Sequence, residues 1–200
     1  MFGDPLPAGW TAPPDPDRLA FRRLTDDDLV LLHRWLNEPG IVRWWEGDDV
    51  SWDGVLGRYS TASTADDSVE HHLGLLDGEP VGWIQCWFLA DEPDMEDWLG
   101  LGFAAHDTAG IDYLIGSVEH RGHGLGTALI AAFVERVVFA EHAWIDAVGS
   151  DPDSDNHASW RALESAGFRQ VAQQQAEGRT YRVMRRDRAG AVEAGTGRLT

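Results

Sequence analysis

The sequence predicts a mixed α/β (α+β) domain, and three observations carry that prediction. Two strand-like runs, 72–76 and 81–89, flank Asp77-Gly78, a dipeptide that tolerates the positive φ angles of a tight hairpin turn. A short apolar run, 111–116, leads to a glycine-rich turn at 122–126, after which apolar residues recur at helical spacing. Further on, a second helical stretch, 156–166, is closed by Gly167 and lies between two strand-like runs.

Residues 1–18 carry five of the nine prolines and read as a flexible lead-in to a domain spanning 19–188, with a flexible Gly- and Ala-rich tail over 189–200. A strand over 19–24 meets Thr25, the expected N-cap of a helix whose apolar side is Leu29, Leu32, Trp35 and Leu36. Asn37-Glu38-Pro39-Gly40 stops that helix. A second helix is expected from Trp52 to Tyr59, and the acidic run 91–97 reads as a solvated loop. After the glycine turn, Leu125, Ala128, Leu129, Ala132, Phe133 and Val137 mark an amphipathic helix. Further strands are expected at 144–148, 168–172 and 180–184.

With 200 residues and 43% hydrophobic content, the chain has apolar surface for one full core. A formal net charge of -18 repels nucleic acid and anionic membrane surfaces, so neither is an expected partner. The same charge draws in a cationic small molecule, although it also serves solubility. All sixteen basic residues are Arg, a coding bias rather than a mechanism. Cys86 is the only cysteine, which excludes an internal disulfide. No run suits a membrane span or an export signal, so a cytoplasmic protein is expected. The eight histidines show neither HExxH nor Cys/His ligand spacing, and no metal is expected.

The segment Arg121-Gly122-His123-Gly124-Leu125-Gly126-Thr127 places a nest of backbone N–H groups at a helix N-terminus. Unpaired amides and the helix dipole favour an anion, glycine lets it approach closely, and Arg121 and His123 add positive charge. This is the pattern of a pyrophosphate site. The spacing differs from the dinucleotide GxGxxG pattern, and no Lys-Ser/Thr pair follows as in a P-loop. It resembles instead the Arg/Gln-x-x-Gly-x-Gly/Ala motif of the GNAT acetyltransferase superfamily. Asn156, which opens a helix ending in Glu164-Ser165-Ala166-Gly167-Phe168, is similarly placed to the Asn of that superfamily's second motif. Within the superfamily the chain is most similar to aminoglycoside 6′-N-acetyltransferases, on Trp35-Leu36-Asn37 with Ile41-Val42-Arg43-Trp44-Trp45, on Gly110-Ile111-Asp112, and on Asp151-Pro152. Siderophore-pathway acyltransferases share the tryptophan segments but usually carry His where this chain has Asp112.

The resemblance implies a GNAT fold, a mostly antiparallel, twisted mixed sheet splayed between its fourth and fifth strands, with helices on both faces. It implies acetyl-CoA as acyl donor, with pyrophosphate on residues 121–127 and Asn156 at the same cofactor site. Pantetheine would lie in the gap beside the backbone amides of Leu114, Ile115 and Gly116, where a bulge frees an amide to polarise the thioester carbonyl.

An aliphatic ammonium with a pKa of ~10.4 is almost wholly charged at neutral pH, so acetyl transfer to it requires proton removal. Asp112 is the expected catalytic residue. At an ordinary pKa of ~3.9 it is a weak base, so either burial raises its pKa or it positions the ammonium. Asp107, Asp112 and Asp151 are expected to contact ammonium groups, Asp151 also being placed to cap the next helix. Of Trp44 and Trp45, one is expected on the substrate and one in the core. Many GNAT enzymes carry a Tyr that protonates the leaving thiolate where this chain has Leu163, so no side-chain general acid is expected; Tyr181 is the alternative donor. Three matters stay open at this level: a siderophore-pathway lysine or hydroxylysine acyltransferase, a noncatalytic acyl-CoA-binding protein, and the choice between monomer and homodimer.

Overall fold

The computed structural model describes residues 13–45, 47–176 and 178–190; most of the expected lead-in and tail lie outside them. Strands β1 (Leu19–Arg23), β2 (Glu70–Leu76), β3 (Glu79–Phe88), β4 (Thr108–Ile115), β5 (Ala147–Ser150), β6 (Arg169–Ala176) and β7 (Arg179–Asp187) form one sheet in the order β1-β2-β3-β4-β5-β7-β6. The β4–β5 pair is parallel, whereas β1–β2, β5–β7 and β6–β7 are antiparallel. The chain forms two compact units, to both of which β3 and β4 contribute residues. One holds the described residues up to Gln85 with Asp112–Leu129, and the second holds Cys86–Ile111 with the described residues from Ile130 onward.

In the first unit, strand alternation sorts side chains onto two faces. Leu73, Trp83 and Leu114 pack with Leu29, Leu32, Trp35 and Leu36 of α1 (Leu29–Leu36), Ile41 of α2 (Pro39–Val42), and Val55 and Tyr59 of α3 (Trp52–Tyr59). Gly74 presents the opposite face to α4 (Leu125–Phe133), where a Cβ would lie 2.2 Å from a Leu129 methyl carbon. Helices therefore cover both faces of this unit. Thr25 starts a 3-10 turn, Asp26–Asp28, ahead of α1. Its N–H and hydroxyl donate to Asp28 Oδ2 at 2.9 and 2.8 Å, and Arg22 clasps the same carboxylate at 2.6 and 2.7 Å. Asn37 ends α1 as expected, but Pro39 begins a new helical turn instead of a coil. Proline suits the first helical position, and Glu38 accepts the Gly40 N–H at 3.2 Å. Ser51 caps α3 through the Gly54 N–H, and the hairpin turn has φ 52° at Asp77 and 91° at Gly78.

In the second unit the parallel ladder pairs Thr108, Ala109 and Gly110 with Ala147, Val148 and Gly149. Its last pair is glycine against glycine because two indoles fill the space. A Cβ on Gly110 would lie 2.0 Å from Trp87, one on Gly149 would lie 2.1 Å from Trp98, and the two rings are 5.3 Å apart. The ladder ends here, where the resemblance places the opening between fourth and fifth strands, and β4 runs on to Ile115. Three local expectations need correction. The acidic run lies in 3-10 helices, Leu89–Asp91 and Pro93–Leu101, rather than in an open loop. The fifth strand begins at Ala147, and Trp144 lies before it, 47% exposed. Arg188 holds that preceding turn, donating to the carbonyls of Phe139, His142 and Ile145 at 2.8, 2.8 and 2.6 Å. Finally, β6 and β7 are longer than expected. Helix α5 (Phe139–Glu141) follows a π turn, and α6 (His157–Ser165) ends at Gly167 with φ 92°. There the Gly167 and Phe168 N–H groups donate to Glu164 and Leu163 carbonyls, each at 3.0 Å.

Candidate active site

The glycine turn has the geometry of an anion cradle. Gly122 and Gly124 take φ of 78° and 79°, a region that glycine enters without strain. The Ala128 N–H donates to the Gly124 carbonyl at 3.1 Å, making Gly124 the N-cap of α4. The amides of Leu125, Gly126 and Thr127 thus belong to the first turn, which has no intrahelical acceptors. Beside Gly122 a Cβ would meet no atom within 4 Å, so the cradle is open there; beside Gly124 it would meet Pro13. His120 is buried just before the turn. Burial lowers its pKa, against the opposing charge of Glu119.

Arg121 is held by groups of the protein itself. Its guanidinium donates to the carbonyls of Ile115 and Gly116 at 3.2 and 3.1 Å and pairs with Glu38 at 2.5 Å. The end of β4 is equally specific. The Gly116 N–H is donated to the Val81 carbonyl of β3 at 3.0 Å, so it is not available to a ligand. All peptide bonds described are trans, which sends the Ile115 carbonyl to the opposite edge of β4. In a strand the N–H and C=O of one residue share an edge. Of Leu114, Ile115 and Gly116, only Ile115 therefore directs its amide away from β3. Asn156 caps α6 by accepting the Ser159 N–H at 3.2 Å, which leaves Asp151 without the capping role.

Asp112 stands among polar and aromatic groups of the first unit. Gln85, buried on β3, donates to Asp112 Oδ2 at 2.7 Å. Trp83, two residues earlier, meets Tyr59 edge-on at 5.6 Å and Trp45 at 6.4 Å, and stacks with His71 at 5.8 Å. Arg58, the neighbour of Tyr59, pairs with Asp48 at 2.8 Å. Burial, with the negative charges of Asp48 and Asp112, pushes the Tyr59 pKa up to about 12 against the opposing Arg58 charge. Trp45 is the tryptophan packed at the core, while Trp44 already carries the Arg43 guanidinium 4.2 Å over its ring. Gln85, Tyr59 and His71 were not anticipated from sequence. Their one signal was polarity inside runs that otherwise read as apolar.

The other expected residues separate. Asp107 precedes β4 and takes the Thr108 hydroxyl at 3.2 Å, while its carbonyl accepts the Asp146 and Ala147 N–H groups. Five residues of strand put it about 16 Å from Asp112 along β4. Asp151 follows β5 by one residue and starts a loop strapped to β7. There Pro152 accepts the Arg182 N–H at 2.9 Å and the Ser154 N–H reaches Thr180 at 2.8 Å. Leu163 is fully buried, so a Tyr at that position would have to displace core.

Comparison with known proteins agrees with this geometry. Residues 25–176 match the family described as Acetyltransferase (GNAT) domain. Aminoglycoside N(6')-acetyltransferase type 1 of Klebsiella pneumoniae is 32% identical over 158 residues, covering 76% of this chain and 74% of that protein, and the Serratia marcescens protein of the same name matches equally. Among solved structures, AAC(6')-Ib in complex with paromomycin and acetyl-CoA aligns with TM-score 0.72 at 27% identity, over 92% of this chain and 100% of that one. The complex of the same enzyme with coenzyme A and kanamycin aligns at 0.70, over 88% and 98%. With the glycine cradle and the family match in agreement, the chain belongs to the GNAT acetyltransferase family.

Proposed function

We propose that this chain transfers the acetyl group of acetyl-CoA to a primary amine of a cationic small molecule, namely the 6′-amine of an aminoglycoside. The observation that carries the reading is the end of β4. Asp112 and Ile115 lie three residues apart on one strand, about 10 Å, and the glycine cradle follows directly. A carboxylate for the amine, an amide for the thioester and a nest for the pyrophosphate are thus arrayed in sequence. Acetyl-CoA supplies the acetyl thioester. The first-turn amides at Leu125, Gly126 and Thr127 hold its pyrophosphate, and the Ile115 N–H faces its thioester carbonyl. Asp112 binds the ammonium and receives its proton, with Gln85 fixing the carboxylate's orientation. Trp45 and Tyr59 wall the amine from bulk water. Asp107 has no part.

The names of the relatives support the acceptor, since they are aminoglycoside N(6')-acetyltransferases and a kanamycin complex. Among the described residues no helix is long and apolar enough to cross a membrane, in keeping with an enzyme that works in the cytoplasm. The test is thiol release from acetyl-CoA with kanamycin-like aminoglycosides, polyamines, lysine and hydroxylysine in parallel, for the wild type and Asp112→Asn. The wild type should turn over aminoglycosides best, and kcat of the variant should fall on the order of 10²-fold. Preference for hydroxylysine, or full activity of Asp112→Asn, overturns the reading.

A further inference from the structure

We infer that Arg121 and Glu38 form a positioning pair that sets the open edge of β4, and that Arg121 is not a ligand of the pyrophosphate. The inference rests on the reading that residues 121–127 hold acetyl-CoA, and it departs from what the motif suggests for its first residue. The argument begins with the peptide between Ile115 and Gly116. One side of that peptide is anchored to β3 through the Gly116 N–H and the Val81 carbonyl. Its other side, the Ile115 carbonyl, points to the edge of β4 away from β3, beyond Gly110, the last residue of the parallel ladder. A strand edge without a partner strand needs a donor for its carbonyl, and the Arg121 guanidinium provides one for Ile115 while also holding the Gly116 carbonyl just past the strand's end.

Glu38 completes the arrangement from the other side. Its carboxylate meets Arg121 NH2 at 2.5 Å and also accepts the Gly40 N–H that starts α2. A Cβ at Gly40 would lie 2.6 Å from Arg121 NH1, so a side chain there displaces the guanidinium from this position. The guanidinium side chain is 27% exposed and committed to three acceptors, one on the strand whose amide faces the thioester and one just past its end. Because Glu38 leads into the turn that carries Trp45, the pair also ties the donor strand to the acceptor side. Glu38 neutralises the cation, so the anion cradle relies on backbone amides for its attraction.

A shortened donor separates the two roles. Arg121→Gln, Glu38→Gln and their combination should be compared using acetyl-CoA and acetyl-pantetheine, which lacks the pyrophosphate. A positioning pair predicts that each single variant lowers kcat/KM about tenfold, the scale of one charged hydrogen bond, and by the same factor for both donors. The double variant should then cost no more than Arg121→Gln alone. A penalty that disappears with acetyl-pantetheine makes Arg121 a phosphate ligand, and additive penalties make Glu38 independent of it; either result overturns the inference. If Arg121→Gln fails to fold by circular dichroism, Glu38→Gln and Gly40→Ala carry the same two-donor comparison. Calorimetric binding of both donors accompanies the kinetics. A wild type that binds acetyl-CoA but acetylates no amine therefore defeats the functional reading and leaves this test standing.

Discussion

At the scale of single residues, His71 shows how burial weakens a base. It is 8% exposed, stacked on Trp83 and edge-on to Tyr59, and its Nδ1 has no hydrogen-bond partner among the described residues. Burial pushes its pKa from 6.5 down to about 4. As a base it offers nothing beyond a carboxylate, in keeping with the proton role proposed for Asp112. The unfolded chain, by contrast, protonates this ring near pH 6.5. Because the folded pKa is depressed, its stabilising contribution is complete above the unfolded value and is lost as pH falls towards 4, for a total of roughly 3 kcal/mol. Urea unfolding of the wild type and His71→Phe should therefore diverge between pH 7.5 and 4.5, with the wild type losing more. Parallel pH dependence would assign the acid sensitivity to carboxylates instead.

At the scale of elements, the Gly110–Gly149 pair marks the end of the parallel ladder, with Trp87 and Trp98 occupying the volume of the missing side chains. Neither glycine has a positive φ, so a substitution here is a question of space alone. Gly149→Ala drives a Cβ to 2.1 Å from Trp98, a fully buried ring, and should cost about 1–3 kcal/mol, visible as a Tm lowered by several degrees. Gly57→Ala on α3 is the matched control, because a Cβ there meets nothing within 4 Å. It should stabilise by up to about 1 kcal/mol through helix propensity. Equal effects of the two substitutions would mean that the indoles move aside freely.

At the scale of the whole molecule, a net charge of -18 surrounds a site proposed to take a polycation. Long-range attraction of this kind is screened over about 10 Å at 0.1 M salt. Raising ionic strength should therefore increase KM for an aminoglycoside with several ammonium groups more than for a monoamine analogue, with kcat little changed. Equal salt sensitivity of the two acceptors would reduce the acidity to a solubility feature.

What could be read without the structure was local. The Asp77-Gly78 turn, α3 from Trp52 to Tyr59, the glycine cradle and the Gly167 stop each depend on a few adjacent residues whose backbone preferences act over one turn. Apolar patterning misled where burial and secondary structure part company, as at Trp144, whose exposed position follows from how Arg188 holds the turn before β5. Only the tertiary structure decided that Gln85 would hold Asp112, that Arg121 would turn to Glu38 and the β4 carbonyls, that Asp107 would stand at the far end of β4, and that Leu163 would be core. The reason is physical: a backbone preference is set by neighbours along the chain, whereas a side chain's partner is set by strand register and by which edge or face its strand presents.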